Sequence, residues 1–228
     1  MALSGYVSSS LLYHYMLKEV NKADVPLTEP SFVSSIILPT FNEVDYLEST
    51  LASLQAQNIM LAYPDKFELI IIDAESTDGT QDLINKYADT LLSVVGEPRG
   101  KLTQRHLATT HAKGEIIVAV DADTLYPPNW LNLLLRHYQD PNVVAVTAPF
   151  LFPHPNTMFS IGFAMNSIFM RHMTSCNSAY RKSSYYEVGG FNLNVDQSAM
   201  IPCAIEEELG FHRRLRRLGK VIYDLQTP

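Results

Sequence analysis

Glu115-Ile116-Ile117-Val118-Ala119-Val120-Asp121-Ala122-Asp123 decides how this chain is read. A short, β-branched apolar run behind Lys113-Gly114 marks a buried strand, and two carboxylates one residue apart sit at its C-terminal lip. Carboxylates there are costly to leave unpaired, and in an open α/β sheet that lip is where ligands bind. Mg²⁺ and Mn²⁺ take carboxylate oxygens and are held against substrate phosphates, so Asp121 and Asp123 predict a metal–diphosphate site. An Asp-x-Asp pair also has a plainer use, with Asp121 capping the next helix and Asp123 solvated. What surrounds the pair must choose between them.

Upstream, strands alternate with helices. Ser35–Leu38 reads as a strand stopped by Pro39, and Val44, Leu47, Leu51 and Leu54 give a helix over 43–57. Phe67–Asp73 is a second strand with a helix over 78–87, and Leu91–Val95 a third with a helix over 103–112. That rhythm implies a mostly parallel sheet. Downstream it loosens: Trp130–Tyr138 reads as a helix and Val143–Thr147 as a strand. No further βα alternation appears until a helix over 206–218 and a strand over 221–223. At the N-terminus a short candidate helix, 11–17, precedes a Pro-containing linker over 21–31. The expected organisation is residues 1–31 as helix and linker and 32–228 as one α/β domain. Within it, 32–124 would bind nucleotide and 125–228 acceptor.

Composition narrows the function. With 228 residues and a net charge of −7, the chain is sized for a single α/β domain and lacks the basic surface that nucleic-acid binding needs. Cys176 and Cys203 have no zinc-ligand or CxxC spacing and read as free thiols of a reducing, cytoplasmic compartment. No apolar run approaches the ~20 residues that span a bilayer. The apolar stretch 159–173 is interrupted by Asn166 and Arg171-His172, which favours a core or acceptor-side helix and leaves peripheral membrane contact open.

Other constellations gather around the lip. Asp73 ends the second strand ahead of Ala74-Glu75-Ser76-Thr77-Asp78-Gly79-Thr80, on the same sheet edge as Asp121 if the strands are parallel. Asp78 reads as a helix cap, whereas Asp73 needs a partner that a base or ribose hydroxyl would supply. Arg99, Lys101 and Arg105 lie between the third strand and the Asp-x-Asp strand, where they either neutralise phosphate oxygens or form a solvated loop. Glu206-Glu207-Glu208 opens the late helix; it suits the helix dipole, and could also supply a general base for an acceptor hydroxyl.

Ile37-Leu-Pro-Thr-Phe-Asn-Glu43, Asp73-Ala-Glu-Ser-Thr-Asp-Gly-Thr80, Asp121-Ala-Asp123, Gly189-Gly-Phe-Asn192 and Glu207-Glu208 ahead of Arg214-Leu-Arg-Arg-Leu-Gly219 occur in one order. Together they resemble glycosyltransferase family 2. The resemblance implies a GT-A type fold, a Rossmann-like sheet flanked by helices with an irregular acceptor-side second half. It implies a nucleotide-sugar donor, a UDP-sugar foremost, with Mn²⁺ or Mg²⁺ as cofactor and inverting transfer to a glycan, lipid or protein acceptor. It places Thr40, Glu43 and Asp73 on the nucleoside, Asp121 on the ribose side, Asp123 with Asp121 on the metal, and the base on Glu208 with Glu207 beside it. Three departures stand out: Ala74 where many members carry a second aspartate, Glu rather than Asp at the base, and no His after the last strand.

Other classes fit less well. A sugar nucleotidyltransferase would need a Gly-rich basic loop after the first strand. A dehydrogenase would need GxGxxG and a P-loop enzyme GxxxxGK[ST], and the chain has neither. A catalytically silent nucleotide- or carbohydrate-binding module of the same fold is the non-enzymatic alternative.

Overall fold

Every residue of β1, Ser34–Thr40, is buried, because helices cover the sheet on both faces and leave a central strand no solvent side. The computed structural model describes residues 26–87, 91–95, 100–149, 176–194 and 201–227, the side chains of 91–95 and 201–206 excepted. After β1 come α1 (Val44–Gln55), α2 (Asn58–Ala62), β2 (Phe67–Asp73), α3 (Thr80–Lys86), β3 (Leu91–Val95), α4 (Lys101–His111) and β4 (Ile116–Ala119). There follow α5 (Trp130–Leu135), β5 (Val143–Thr147), β6 (Ser178–Arg181), α6 (Lys182–Glu187), α7 (Ile201–Leu215) and β7 (Lys220–Tyr223). The candidate helix 11–17 and the apolar stretch 159–173 lie outside the described residues.

The seven strands form one sheet in the order β3-β2-β1-β4-β6-β5-β7. Only β6 runs against the others: it is antiparallel to β4 and β5, while the remaining pairs are parallel. The chain steps outward from β1 to β2 to β3, then returns across β1 to β4. Right-handed crossovers therefore place α1 and α3 on one face and α4 on the other. Ile36 and Leu38 point into the first core with Leu47, Leu51, Leu54, Leu83 and Trp130. Ile37, Ile70 and Ile72 point into the second with Leu102, Tyr180 and Phe211. Connections leave β1 and β4 in opposite directions, which opens a crevice at their C-terminal ends.

Two expectations are corrected. Pro39 lies inside β1, opposite Ile72 of β2, instead of ending it. Pairing with β4 stops at Ile37–Ala119, and position 39 faces the same side as Ile37, so its missing N–H removes no ladder bond. The irregular second half contains β6, a strand of Ser-Ala-Tyr-Arg with no β-branched residue to announce it. Cross-strand partners on both sides hold it, and Tyr180 enters the second core. The helix from Trp130 also changes character, tightening to a 3₁₀ turn over Arg136–Gln139. Cys176 is buried and free, its thiol pushed up by burial. No helix among the described residues is long and apolar enough to cross a membrane.

Candidate active site

The loops after β1 and β2 fold as one interlocked unit. Asn42 N donates to Ser76 Oγ at 2.8 Å and Thr77 N to Asn42 Oδ1 at 2.9 Å. Glu43 N donates to Thr80 Oγ1 at 2.9 Å and Val44 N to Asp78 Oδ2 at 3.1 Å. Asp78 Oδ1 also accepts from Thr80 N at 3.0 Å, so one carboxylate serves the first turns of both α1 and α3. Asn42 and Glu75 take the left-handed backbone conformation, with φ of 56° and 57°. Asn tolerates it better than most residues, so Asn42 suits that corner.

Asp73 organises the same unit from beneath. It is 1% exposed, and its carboxylate accepts from Thr40 Oγ1 (3.0 Å), Ser76 N (2.9 Å), Ser76 Oγ (2.6 Å) and Gln81 Nε2 (2.9 Å). The partner that sequence reasoning sought in a nucleoside is supplied by the protein. The residue after it, Ala74, faces the cleft.

That cleft, of about 430 Å³, opens across the C-terminal ends of β2, β1 and β4. Its uncharged lining includes Pro39, Thr40, Phe41, Ala74 and Gln104; its charged lining is Glu43, Lys101, Asp121 and Asp123. Asp121 Oδ2 accepts from Lys101 Nζ at 2.7 Å and Oδ1 from Arg105 Nη2 at 2.6 Å. Burial opposes ionisation of Asp121, but the two cations outweigh it and hold the carboxyl below its usual range. Glu43 is shifted the other way, upward, by burial and then by Asp123 and Asp121, with Lys101 pulling against them. The acids thus crowd one another at Glu43, an environment that added positive charge would relieve. Among the described residues no three His, Cys, Asp or Glu side chains are placed to hold a metal by themselves. Asp123 is exposed at the cleft, where its carboxylate could serve as one ligand to a hard cation.

The acidic turn is held from several directions. Asp121 N donates to the Tyr126 hydroxyl at 3.0 Å, which donates to Cys176 O at 3.0 Å. Thr50 Oγ1 donates to Ala122 O at 2.7 Å. Tyr126 packs against Trp130, whose Nε1 donates to Asn177 Oδ1 at 2.8 Å. Thr50, Tyr126 and Asn177 were not singled out from sequence, and Trp130 and Cys176 were read there only as a helix start and a free thiol.

The remaining candidates separate. Arg105, 2% exposed, sits behind the cleft and also reaches Glu208, its Nη1 3.2 Å from Glu208 Oε1; it links the two carboxylates where sequence expected a phosphate ligand. Glu207 is buried and turned away, its Oε1 accepting from Asn192 N at 2.8 Å and Arg214 Nη2 at 2.7 Å. Arg214 Nη2 donates to Gly190 O as well, at 2.7 Å. Glu207 thus fastens the Gly189-Gly190-Phe191-Asn192 turn to α7, a structural task where sequence had expected a partner of the base. Gly190 is required there, at φ 67° with the Tyr185 hydroxyl 2.9 Å from where a Cβ would stand. Arg99 and the side chain of Glu206 lie outside the description.

A crevice at the β1/β4 switch point, with an acidic pair at its rim, defines a GT-A type glycosyltransferase fold. The mannosyltransferase PcManGT of Pyrobaculum calidifontis, solved with GDP-Man and Mn²⁺, superposes with a TM-score of 0.67 at 24% identity, over 98% of this chain and 64% of that one. Staphylococcus aureus TarS 1–349 with UDP-GlcNAc gives 0.61 at 20% identity, over 84% and 56%. The sequence profile of glycosyl transferase family 2 matches residues 35–189, and the chain belongs to that family. A poly-β-1,6-N-acetyl-D-glucosamine synthase of Staphylococcus aureus (strain MSSA476) is 28% identical over 154 residues, 64% of this chain and 36% of the relative. The putative teichuronic acid biosynthesis glycosyltransferase TuaG of Bacillus subtilis is 36% identical over 93 residues, 39% and 35% of the two chains. The chain thus spans about a third of the length of these relatives. The profile match takes in the whole cleft and ends before Glu207 and Glu208.

Proposed function

We infer that this chain binds a nucleotide-diphosphate sugar in the cleft and transfers the sugar to an acceptor hydroxyl with inversion. The observation that carries this reading is a single switch-point crevice whose lining combines uncharged residues with a cluster of charged ones. A flat base suits the first and a metal-bound diphosphate the second. PcManGT solved with GDP-Man and Mn²⁺ and TarS solved with UDP-GlcNAc support the same class of donor. The poly-N-acetylglucosamine synthase among the relatives favours a glycan hydroxyl as acceptor.

In this reading Asp123 would hold Mn²⁺ or Mg²⁺, and the bound divalent cation would supply positive charge against the leaving group. Lys101, on the cleft wall, adds charge at the same end. Glu208 removes the proton from the acceptor hydroxyl as its oxygen forms the new bond to the anomeric carbon. The bond from that carbon to the diphosphate oxygen breaks on the opposite side, and the nucleotide diphosphate leaves with the electron pair. Arg105, paired with both Asp121 and Glu208, sets the distance between the donor end and the base.

Calorimetric titration of UDP, GDP and dTDP with Mn²⁺ and with EDTA, on the wild type and Asp123→Ala, tests the donor site. At least one diphosphate binds with Mn²⁺, loses about tenfold or more in affinity in EDTA, and shows no metal dependence in the variant. Equal binding in EDTA would overturn the metal's place in the site.

A further inference from the structure

One uncharged polar group lining the cleft has no part in the transfer chemistry. Gln104 of α4 is 4% exposed, and its Nε2 donates to two main-chain carbonyls, Thr40 O at 2.9 Å and Ile72 O at 3.2 Å. Only the amino end of an amide can bond two carbonyls, so chemistry fixes which way this side chain faces. Both amino protons are spent on the ends of β1 and β2, and Oε1 accepts from no protein donor among the described residues. Ala74 N donates to the same Thr40 carbonyl at 3.0 Å, which brings Ala74 and the Gln104 amide together on the cleft wall. This is the β2 side of the crevice. Asp121 and Asp123 follow β4, on the far side of β1. Phe41, 51% exposed, offers an aromatic face on the same wall, and Ala74 offers space.

Building on the donor-site reading above, we propose that Gln104 reads the nucleobase, its Oε1 accepting a ring N–H: N3–H of uracil or thymine, or N1–H of guanine. The chemistry is one-sided because Nε2 has no proton left to give. Cytosine N3 and adenine N1 present a lone pair at the corresponding edge, which faces the amide oxygen unfavourably. Selection thus comes from covering this acceptor with a base that gives it no proton.

The test measures Mn²⁺-dependent binding of UDP, GDP, CDP and ADP to the full chain, with N3-methyl-UDP and N1-methyl-GDP as ligands lacking the ring proton. The wild type binds UDP or GDP about tenfold or more tightly than CDP and ADP, and methylation of the preferred base costs a similar factor. In Gln104→Met the methylated and unmethylated ligands bind within about twofold of each other. A wild type indifferent to methylation overturns the proposal whether or not the variant folds, as does a folded Gln104→Met that discriminates like the wild type. Failure of every diphosphate to bind would instead remove the donor-site reading, and this inference with it.

Discussion

Removing the Asp73 carboxylate takes an acceptor from four hydrogen bonds at once, two of them from Ser76 and one each from Thr40 and Gln81. Asp73→Ala should therefore cost upwards of about 2 kcal/mol of unfolding free energy, measured by urea denaturation. Nucleotide affinity of the folded fraction should barely move. A variant as stable as the wild type that had lost nucleotide binding would return Asp73 to the ligand. Sequence marks a carboxylate at a strand end as needing a partner but does not say whose donors arrive. Asp73 and Glu207 are held by several donors within the chain, whereas Asp123, which among the described residues accepts from the adjacent Thr124 Oγ1 at 3.3 Å, lines the cleft with Glu43. Gln104 was illegible for the opposite reason. An uncharged residue among cations gives no signal until two carbonyls are seen to orient it.

At the scale of elements, the apolar runs of β1, β2, β4 and β5 were readable because buried central strands need little else. The second half was harder because its order comes from tertiary contacts. Asp224, just after β7, shows how. Its Oδ2 accepts from Arg136 Nη2 and lies 2.9 Å from His137 Nε2, and Thr227 Oγ1 donates to it at 2.8 Å, so it joins the 3₁₀ turn after α5 to the segment after β7. Burial opposes the charge on Asp224, but the hydrogen bonds at His137, Gln226 and Thr227 and the charge of Arg136 bring its carboxyl down to about 2. A depressed folded-state value stabilises above the unfolded one. The contribution is complete at neutral pH, falls as pH drops below about 4 and is gone below about 2. Asp224→Asn should cost about 1–2 kcal/mol at pH 7, after allowance for solvent screening around Arg136, and close to nothing near pH 2. Urea unfolding at several pH values reads this, and a penalty that does not change with pH would refute the electrostatic account.

Taken as a whole molecule, the chain divides its work between the two sides of the β1/β4 crevice. The interlocked loops after β1 and β2 bring Phe41, Glu43 and Ala74 to the cleft, the turn after β4 brings Asp121 and Asp123, and α7 brings Glu208 toward them through Arg105. Motif order in the sequence carried the fold and the family: the first three motifs fall at strand ends, whereas Gly189–Asn192 follows α6 and Glu207-Glu208 lies within α7, which starts at Ile201 and not at Glu206. The base was less legible, since three consecutive glutamates differ only by their angle around a helix, and it is the tertiary partners Asn192 N and Arg214 that hold Glu207 inward. The central claim is transfer with Glu208 as the base. Its most direct test is Mn²⁺-supported release of nucleotide diphosphate from a sugar donor by the wild type and by Glu208→Gln, with nucleotide affinity measured on both. The account predicts unchanged affinity and release slower by about 10²–10⁴-fold in the variant. A variant that releases the diphosphate as fast as the wild type, or a wild type that binds donors and turns none over, would contradict it.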